Sequence, residues 1–123
     1  MRIVLPVRPQ AASRPRVVAG HAYYPERYRS WLEVAAAEAR RVWRRKPAGG
    51  PVHVSVFLEG QRILVDVDEQ TAWRRGQIRG DLDNHVKAVL DALVAGGVLV
   101  DDRQVEGLVA VFAGQTGAGS GMA

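Results

Sequence analysis

The chain has 123 residues, a length that suits one hydrophobic core, and it has no cysteine, so disulfides, thiol nucleophiles and cysteine-ligated zinc are excluded. Its net charge of +4 hides an asymmetry: residues 1–50 carry 11 Arg/Lys against 3 Glu, a net +8, whereas residues 51–123 carry 6 against 10, a net −4. No signal peptide is recognisable and no apolar run approaches the ~20 residues that cross a bilayer, which predicts a soluble, cytoplasmic protein.

In chain order, Arg2 to Val7 predicts a short first strand. Arg8 to Ala22, with Pro9, Pro15, Gly20 and the cations Arg8, Arg14 and Arg16, predicts a basic loop. A helix then starts at Tyr23-Tyr24-Pro25-Glu26, with Pro25 in the first turn where its missing N–H costs nothing. Tyr28, Trp31, Leu32, Ala35, Ala39, Val42 and Trp43 share one face at helical spacing, and Lys46-Pro47-Ala48-Gly49-Gly50 ends the helix. Val52, Val54, Val56 and Leu58 alternate with His53, Ser55 and Phe57, a strand with one face on the core. Gly60-Gln61 turns it into a second strand, Ile63 to Val67.

Asp68 to Gly80 has no clean period and carries Trp73, Arg74, Arg75 and Arg79, which predicts a polar, basic loop. Leu82, Val86, Val89, Leu90 and Leu93 form the stripe of a second helix that Gly96-Gly97 closes. Val98-Leu99-Val100 leads into Asp101-Asp102, and Val105 to Phe112 has the apolar content of a last strand. The expected fold is α+β (α/β): a mixed sheet of about four strands in the order βαββαβ, with both helices on one side. It is read as a single domain over residues 1–112, followed by a flexible Gly/Ala/Ser-rich tail over residues 113–123.

The chemistry centres on GDLDNHVKAVLD, residues 80–91. Asp81 and Asp83 at a helix start have an ordinary role as acceptors for unpaired N–H groups. Asp83, Lys87 and Asp91 stand four apart along one edge, so Lys87 has a helical ion-pair partner on either side. A strand returning after Gly96-Gly97 also brings Asp101-Asp102 back toward the start of this helix, and three converging carboxylates favour a cation. Magnesium takes hard oxygen ligands and usually only one or two protein carboxylates per ion, so Asp81, Asp83 and Asp102 suffice for one or two ions. Cap and metal site both remain open on these grounds. A calcium loop would need glycine at its sixth position, where Val86 stands. No GxSxG or GxxxxGK motif occurs, and His21, His53 and His85 are too far apart in sequence to suggest zinc.

Asp81-Leu82-Asp83-Asn84, Lys87, Asp91 and Leu93, followed by Asp101-Asp102, Gln104 and Val105, resemble the signature of RusA-type Holliday-junction resolvases, D-x-D-N-x-x-K-x-x-x-D-x-L and then D-D-x-Q-V. Weaker similarity covers Ser13-Arg14-Pro15-Arg16 and Tyr24-Pro25 with Tyr28 and Trp31, so that the resemblance spans about residues 2–112. It implies a homodimeric endodeoxyribonuclease that requires Mg2+, with Mn2+ as a substitute, and nicks two symmetric strands of a four-way DNA junction in recombination and repair. By the same resemblance Asp81, Asp83 and Asp102 are the metal ligands and, with Lys87, the catalytic set. Asn84, Asp91 and Asp101 support them, Asp91 by orienting Lys87. The cations Arg14, Arg16, Arg74, Arg75 and Arg79 are expected on DNA, making binding salt-dependent. One departure from the family is the length of the segment from Gly60 to Gly80, which widens the DNA contact, contributes to dimerisation, alters which branched structures are cut, or is a neutral surface insertion. The alternatives are a general branched-DNA or flap nuclease and a catalytically idle DNA-binding protein of the same fold.

Overall fold

The computed structural model describes residues 1–13 and 16–114, with the backbone alone at residues 16 and 18. Arg14 and the tail from residue 115 onward lie outside the described residues. The chain divides into two compact units, Met1–Gln70 and Thr71–Ala123.

In the first unit, β1 (Arg2–Leu5), β4 (His53–Leu58) and β5 (Ile63–Asp68) form a sheet of order β1-β5-β4. Every ladder in it is antiparallel, with Arg2 opposite Asp66, Leu5 opposite Ile63 and His53 opposite Asp68. The β4–β5 hairpin closes through Glu59-Gly60-Gln61-Arg62, where the Glu59 N–H donates to the Arg62 carbonyl at 3.0 Å and Arg62 Nε to Glu59 Oε1 at 2.6 Å. Long-range pairing is pinned at the other end by Arg2, whose Nε and Nη2 reach the two oxygens of Asp66 at 2.7 and 2.9 Å. The fork geometry of guanidinium matches the carboxylate, and it holds the Asp66 carboxyl below its ordinary value of 3.8.

Two further strands, β2 (Arg16–Val18) and β3 (His21–Tyr23), pair as a small hairpin within the region expected to be loop. Its two-residue connection has φ +51° at Ala19 and +80° at Gly20. Positive φ at both central positions matches the right-handed twist of the flanking strands, so a turn that looks weak in sequence closes a tight hairpin.

Helix α1 (Glu26–Trp43) packs on β1. Pro25 is its N-cap residue, one position earlier than a first-turn proline, and Arg29 N–H closes the first turn on the Pro25 carbonyl at 3.0 Å. Tyr28, Trp31, Ala35, Ala39, Val42 and Trp43 are among its less exposed positions, as the spacing predicts, whereas Leu32 is exposed. Trp31 Nε1 donates to the Arg8 carbonyl at 2.8 Å, tying the helix to the segment after β1. Tyr24, Tyr28 and Trp31 form an aromatic run, edge-on then stacked. The helix stops at Arg44, which takes a left-handed φ of +54° and donates its N–H to the Arg40 carbonyl.

Among the described residues Ile3, Ala35 and Ile63 are the buried apolar ones, one each from β1, α1 and β5. The centre of the sheet is thus β5, which is paired on both sides. β4 was expected to place one face on the core; as the edge strand it leaves Val54, Val56, Phe57 and Leu58 exposed.

In the second unit, α2 (Leu82–Ala95) is followed by a 3-10 turn, Asp102–Gln104, that contacts it. The helix ends in a Schellman motif: Gly97, at φ +80°, donates to the Val94 carbonyl, and Val98 to the Leu93 carbonyl at 2.9 Å. The α+β class therefore holds, with two α-helices and antiparallel sheets of three and two strands among the described residues. The last expected strand does not: Val105 to Phe112 joins no ladder among the described residues. Its residues Leu108 to Phe112 line an open groove beside α2 with Leu82, Val86 and Leu90, and Leu108, Val109 and Val111 stay exposed.

Candidate metal and phosphate site

Asp81 occupies the N-cap position of α2 with extended backbone angles (φ −77°, ψ 149°), yet its side chain makes no capping bond. An aspartate here ordinarily accepts from the N–H two or three residues on. Among the described residues the side chains of Asp81, Asp83 and Asn84 make no hydrogen bond or ion pair, and all three are exposed. The helix start thus presents two carboxylates in the favourable field of its positive end without committing either to the backbone.

Lys87, one turn past Asp83, pairs with the residue on its other side: Nζ lies 2.9 Å from Asp91 Oδ2. Both side chains are well exposed, at 66% and 60%. Such i,i+4 pairs contribute only about 0.3–0.5 kcal/mol. The lysine is therefore held in place by Asp91 but can be drawn away at small cost.

Asp101 and Asp102 have different surroundings. Asp101 caps the 3-10 turn: its Oδ1 accepts from the Arg103 N–H at 2.8 Å and from Arg103 Nε at 3.2 Å. Gln104 returns the bond, its Oε1 accepting from Asp101 N–H at 3.0 Å and Val100 N–H at 2.7 Å. This reciprocal capping box occupies Asp101, and the Arg103 N–H, the Arg103 side chain and the adjoining Asp102 hold its carboxyl below the ordinary value. Asp102 begins the turn with an exposed side chain.

The donor chemistry of Asp81 and Asp83, hard oxygens with no other partner, fits a divalent cation that usually takes one or two protein carboxylates. No group of three or more His, Cys, Asp or Glu close enough to hold a metal forms among the described residues. The contact between α2 and the 3-10 turn brings the Asp102 segment alongside the helix, but Asp102 is not gathered into one cage with Asp81 and Asp83.

The basic residues expected on DNA divide sharply. Arg14 is not described, and of Arg16 only the backbone, in β2, is described. Arg74 Nη1 donates to the carbonyls of Thr71 and Trp73, folding back on its own loop. Arg75 Nη1 donates to the carbonyls of Ile78 and Gly80, and its guanidinium stacks 4.0 Å from the centre of the Phe112 ring. The Arg79 side chain is exposed and unpaired among the described residues, two positions before Asp81. His85, no part of the expected site, donates from Nε2 to the Arg79 carbonyl at 2.5 Å and meets Phe112 edge-on at 5.9 Å. Its position one turn after Asp81 was the available signal, since that places its ring beside the chain entering the helix.

The family model Endodeoxyribonuclease RusA matches residues 6–119 of the chain. The match covers most of the chain, which belongs to the RusA family of endodeoxyribonucleases. No curated protein and no solved structure matched in the corresponding comparisons. Among the described residues no helix is long and apolar enough to cross a membrane.

Proposed function

We propose that this chain is a Mg2+-dependent, structure-selective endodeoxyribonuclease that resolves four-way DNA junctions by paired symmetric nicks, acting in recombination and repair in the cytoplasm of its host cell. The observation that carries the reading is the pair of uncommitted carboxylates, Asp81 and Asp83, at the start of α2 in a chain of this family. Asp81 and Asp83 would hold the cation, and the family resemblance adds Asp102 as a third carboxylate, although it stands apart from them among the described residues. Bound there, the ion would supply an activated water and charge neutralisation at the scissile phosphate.

The chain's own residues do the rest. Lys87 leaves its weak pair with Asp91 for a phosphate oxygen, where a cation offsets the negative charge that grows in the transition state. Asp91 returns the lysine to one side of the helix between turnovers and keeps it off Asp83. Arg79 meets the DNA backbone close to the carboxylates, so that binding weakens as salt rises. A homodimer of the single-domain chain presents two such sites, matching the twofold character of a four-way junction. Mn2+ would replace Mg2+ because both take oxygen ligands.

The test is cleavage of a labelled four-way junction, a matched duplex and a flap, each with Mg2+ and with chelator. Symmetric nicks confined to the junction, lost in chelator, are expected. Comparable cutting of all three substrates would make the chain a general branched-DNA or flap nuclease, and binding without cutting would make it a DNA-binding relative.

A further inference from the structure

The segment from Thr71 to Gly80, the second half of the long Gly60–Gly80 stretch before the acidic motif, is held against the start of α2 by Arg75 and His85, which converge on the chain entering Asp81. Arg75 Nη1 donates to the Ile78 and Gly80 carbonyls. His85 Nε2 donates to the carbonyl between them, Arg79, while the His85 backbone N–H donates to the Asp81 carbonyl at 3.2 Å. Three successive carbonyls before Asp81, and its own carbonyl, are thereby held by two residues. The Phe112 ring backs both, with the Arg75 guanidinium over its face and the His85 ring in a T-shaped contact.

Two glycines make room for this packing. Gly80 has φ +96°, and a β-carbon there would stand 3.2 Å from His85 Nε2. A β-carbon at Gly114 would come within 2.7 Å of Ile78 Cδ1 and 3.0 Å of the Arg75 carbonyl oxygen. The second clash is with backbone as well as side chain, so the close approach of residue 114 to the segment depends on glycine.

The Gly80 carbonyl belongs to the peptide plane that carries the Asp81 nitrogen. Fixing that oxygen fixes the plane up to the Asp81 Cα, and the His85 N–H on the Asp81 carbonyl fixes the plane after it; the two together set the direction in which the Asp81 side chain leaves the backbone. An N-cap aspartate normally steadies the helix entry with its own carboxylate. Here Arg75 and His85 steady it instead, and the carboxylate stays uncommitted.

We infer that Arg75 and His85, backed by Phe112, are positioning residues that clamp the Ile78–Gly80 carbonyls and so aim the Asp81 carboxylate for a divalent cation. This rests on the metal-dependent nuclease reading above and assigns the Thr71–Gly80 segment a part in building the site. Arg75 is then a residue of the fold before it is a DNA ligand.

The experiment compares the full chain with Arg75→Ala, Arg75→Lys, His85→Ala and His85→Gln. Three quantities are read: the NMR chemical shifts of Asp81 and Leu82 in metal-free protein, the Mn2+ concentration that half-saturates single-turnover junction cleavage, and junction affinity in chelator. Partners that orient a metal ligand typically influence affinity or activity by about 10–100-fold, so Arg75→Ala and His85→Ala should raise the half-saturating Mn2+ concentration at least ~10-fold while leaving junction affinity within about twofold. The Asp81 shifts should move in both alanine variants. His85→Gln, which keeps a donor, should recover most of the loss, whereas Arg75→Lys, which keeps the charge without the guanidinium fork, should not.

A loss of junction affinity in Arg75→Ala that Arg75→Lys restores would make Arg75 a phosphate ligand and overturn the inference. Unchanged Asp81 shifts and Mn2+ dependence in a wild type that cuts would also overturn it. A wild type that cuts no junction at any Mn2+ concentration would instead overturn the nuclease reading, and the shifts would still decide the clamp. Should Arg75→Ala fail to fold, the His85 pair carries the same comparison.

Discussion

Lys87 Nζ bonds Asp91 Oδ2 at 2.9 Å and leaves Asp83, the acid on its other side, unpaired. Of two partners four residues away, the lysine takes the one that frees the signature's second aspartate. The reverse pairing would neutralise Asp83 and weaken it as a cation ligand.

Lys87→Ala is therefore expected to slow single-turnover junction cleavage by about 100-fold, the scale of losing one donor to transition-state charge. Its junction affinity should change little. Asp91→Asn should slow cleavage less, because the lysine remains but is no longer drawn from Asp83. Rapid-quench kinetics on a labelled junction check both, and an unchanged rate in Lys87→Ala would remove it from the chemistry.

Gln104 holds Asp101 and Val100 through one side-chain oxygen, so the turn carrying Asp102 depends on it. Gln104→Ala should cost about 1 kcal/mol of stability, as expected for a lost cap. It should also reduce cleavage more than Arg103→Ala, which leaves the Gln104 bonds to the Val100 and Asp101 N–H groups in place. Denaturant melts and cleavage rates of the two variants check this ordering.

Two carboxyls, Asp66 beside Arg2 and Asp101 beside the Arg103 N–H and side chain, are held below their ordinary value of 3.8. A group with a depressed folded-state pKa stabilises the fold above its unfolded-state pKa and loses that contribution as pH falls through the folded value. Thermal stability should thus owe nothing to these groups' titration between pH 7 and 5 and should fall below about pH 4 as both take up protons. In Asp66→Asn part of that acid-side slope should disappear, as read by circular-dichroism melts across pH. An identical slope in the variant would show that the Arg2 pair does not link folding to pH.

The elements legible in the sequence are those with a local signal. Alternation marks the β4–β5 hairpin, helical spacing marks α1 and α2, and Gly96-Gly97 marks the end of α2. The β2–β3 hairpin escaped because its turn, Ala19-Gly20, lacks the usual Asn-Gly or Asp-Gly signature and depends on a left-handed alanine. Residues 105–112 have strand composition, but whether an apolar run pairs or packs on a helix depends on partners distant in sequence. The acidic motif could be located from residue types and spacing alone. That Asp81 makes no cap bond, that Asp101 is spent on the 3-10 turn, and that Arg75 points to carbonyls are facts of side-chain partnership, and spacing does not encode them.

The central claim is that the α2 start holds a catalytic cation on Asp81 and Asp83. Asp83→Asn removes one carboxylate charge at nearly constant shape, and its effect on junction cleavage in Mg2+, measured beside junction affinity in chelator, tests that claim most directly. Cleavage should be abolished with affinity and helix content retained. Cleavage at the wild-type rate, or loss of binding in a variant that keeps its helix content, would contradict the account.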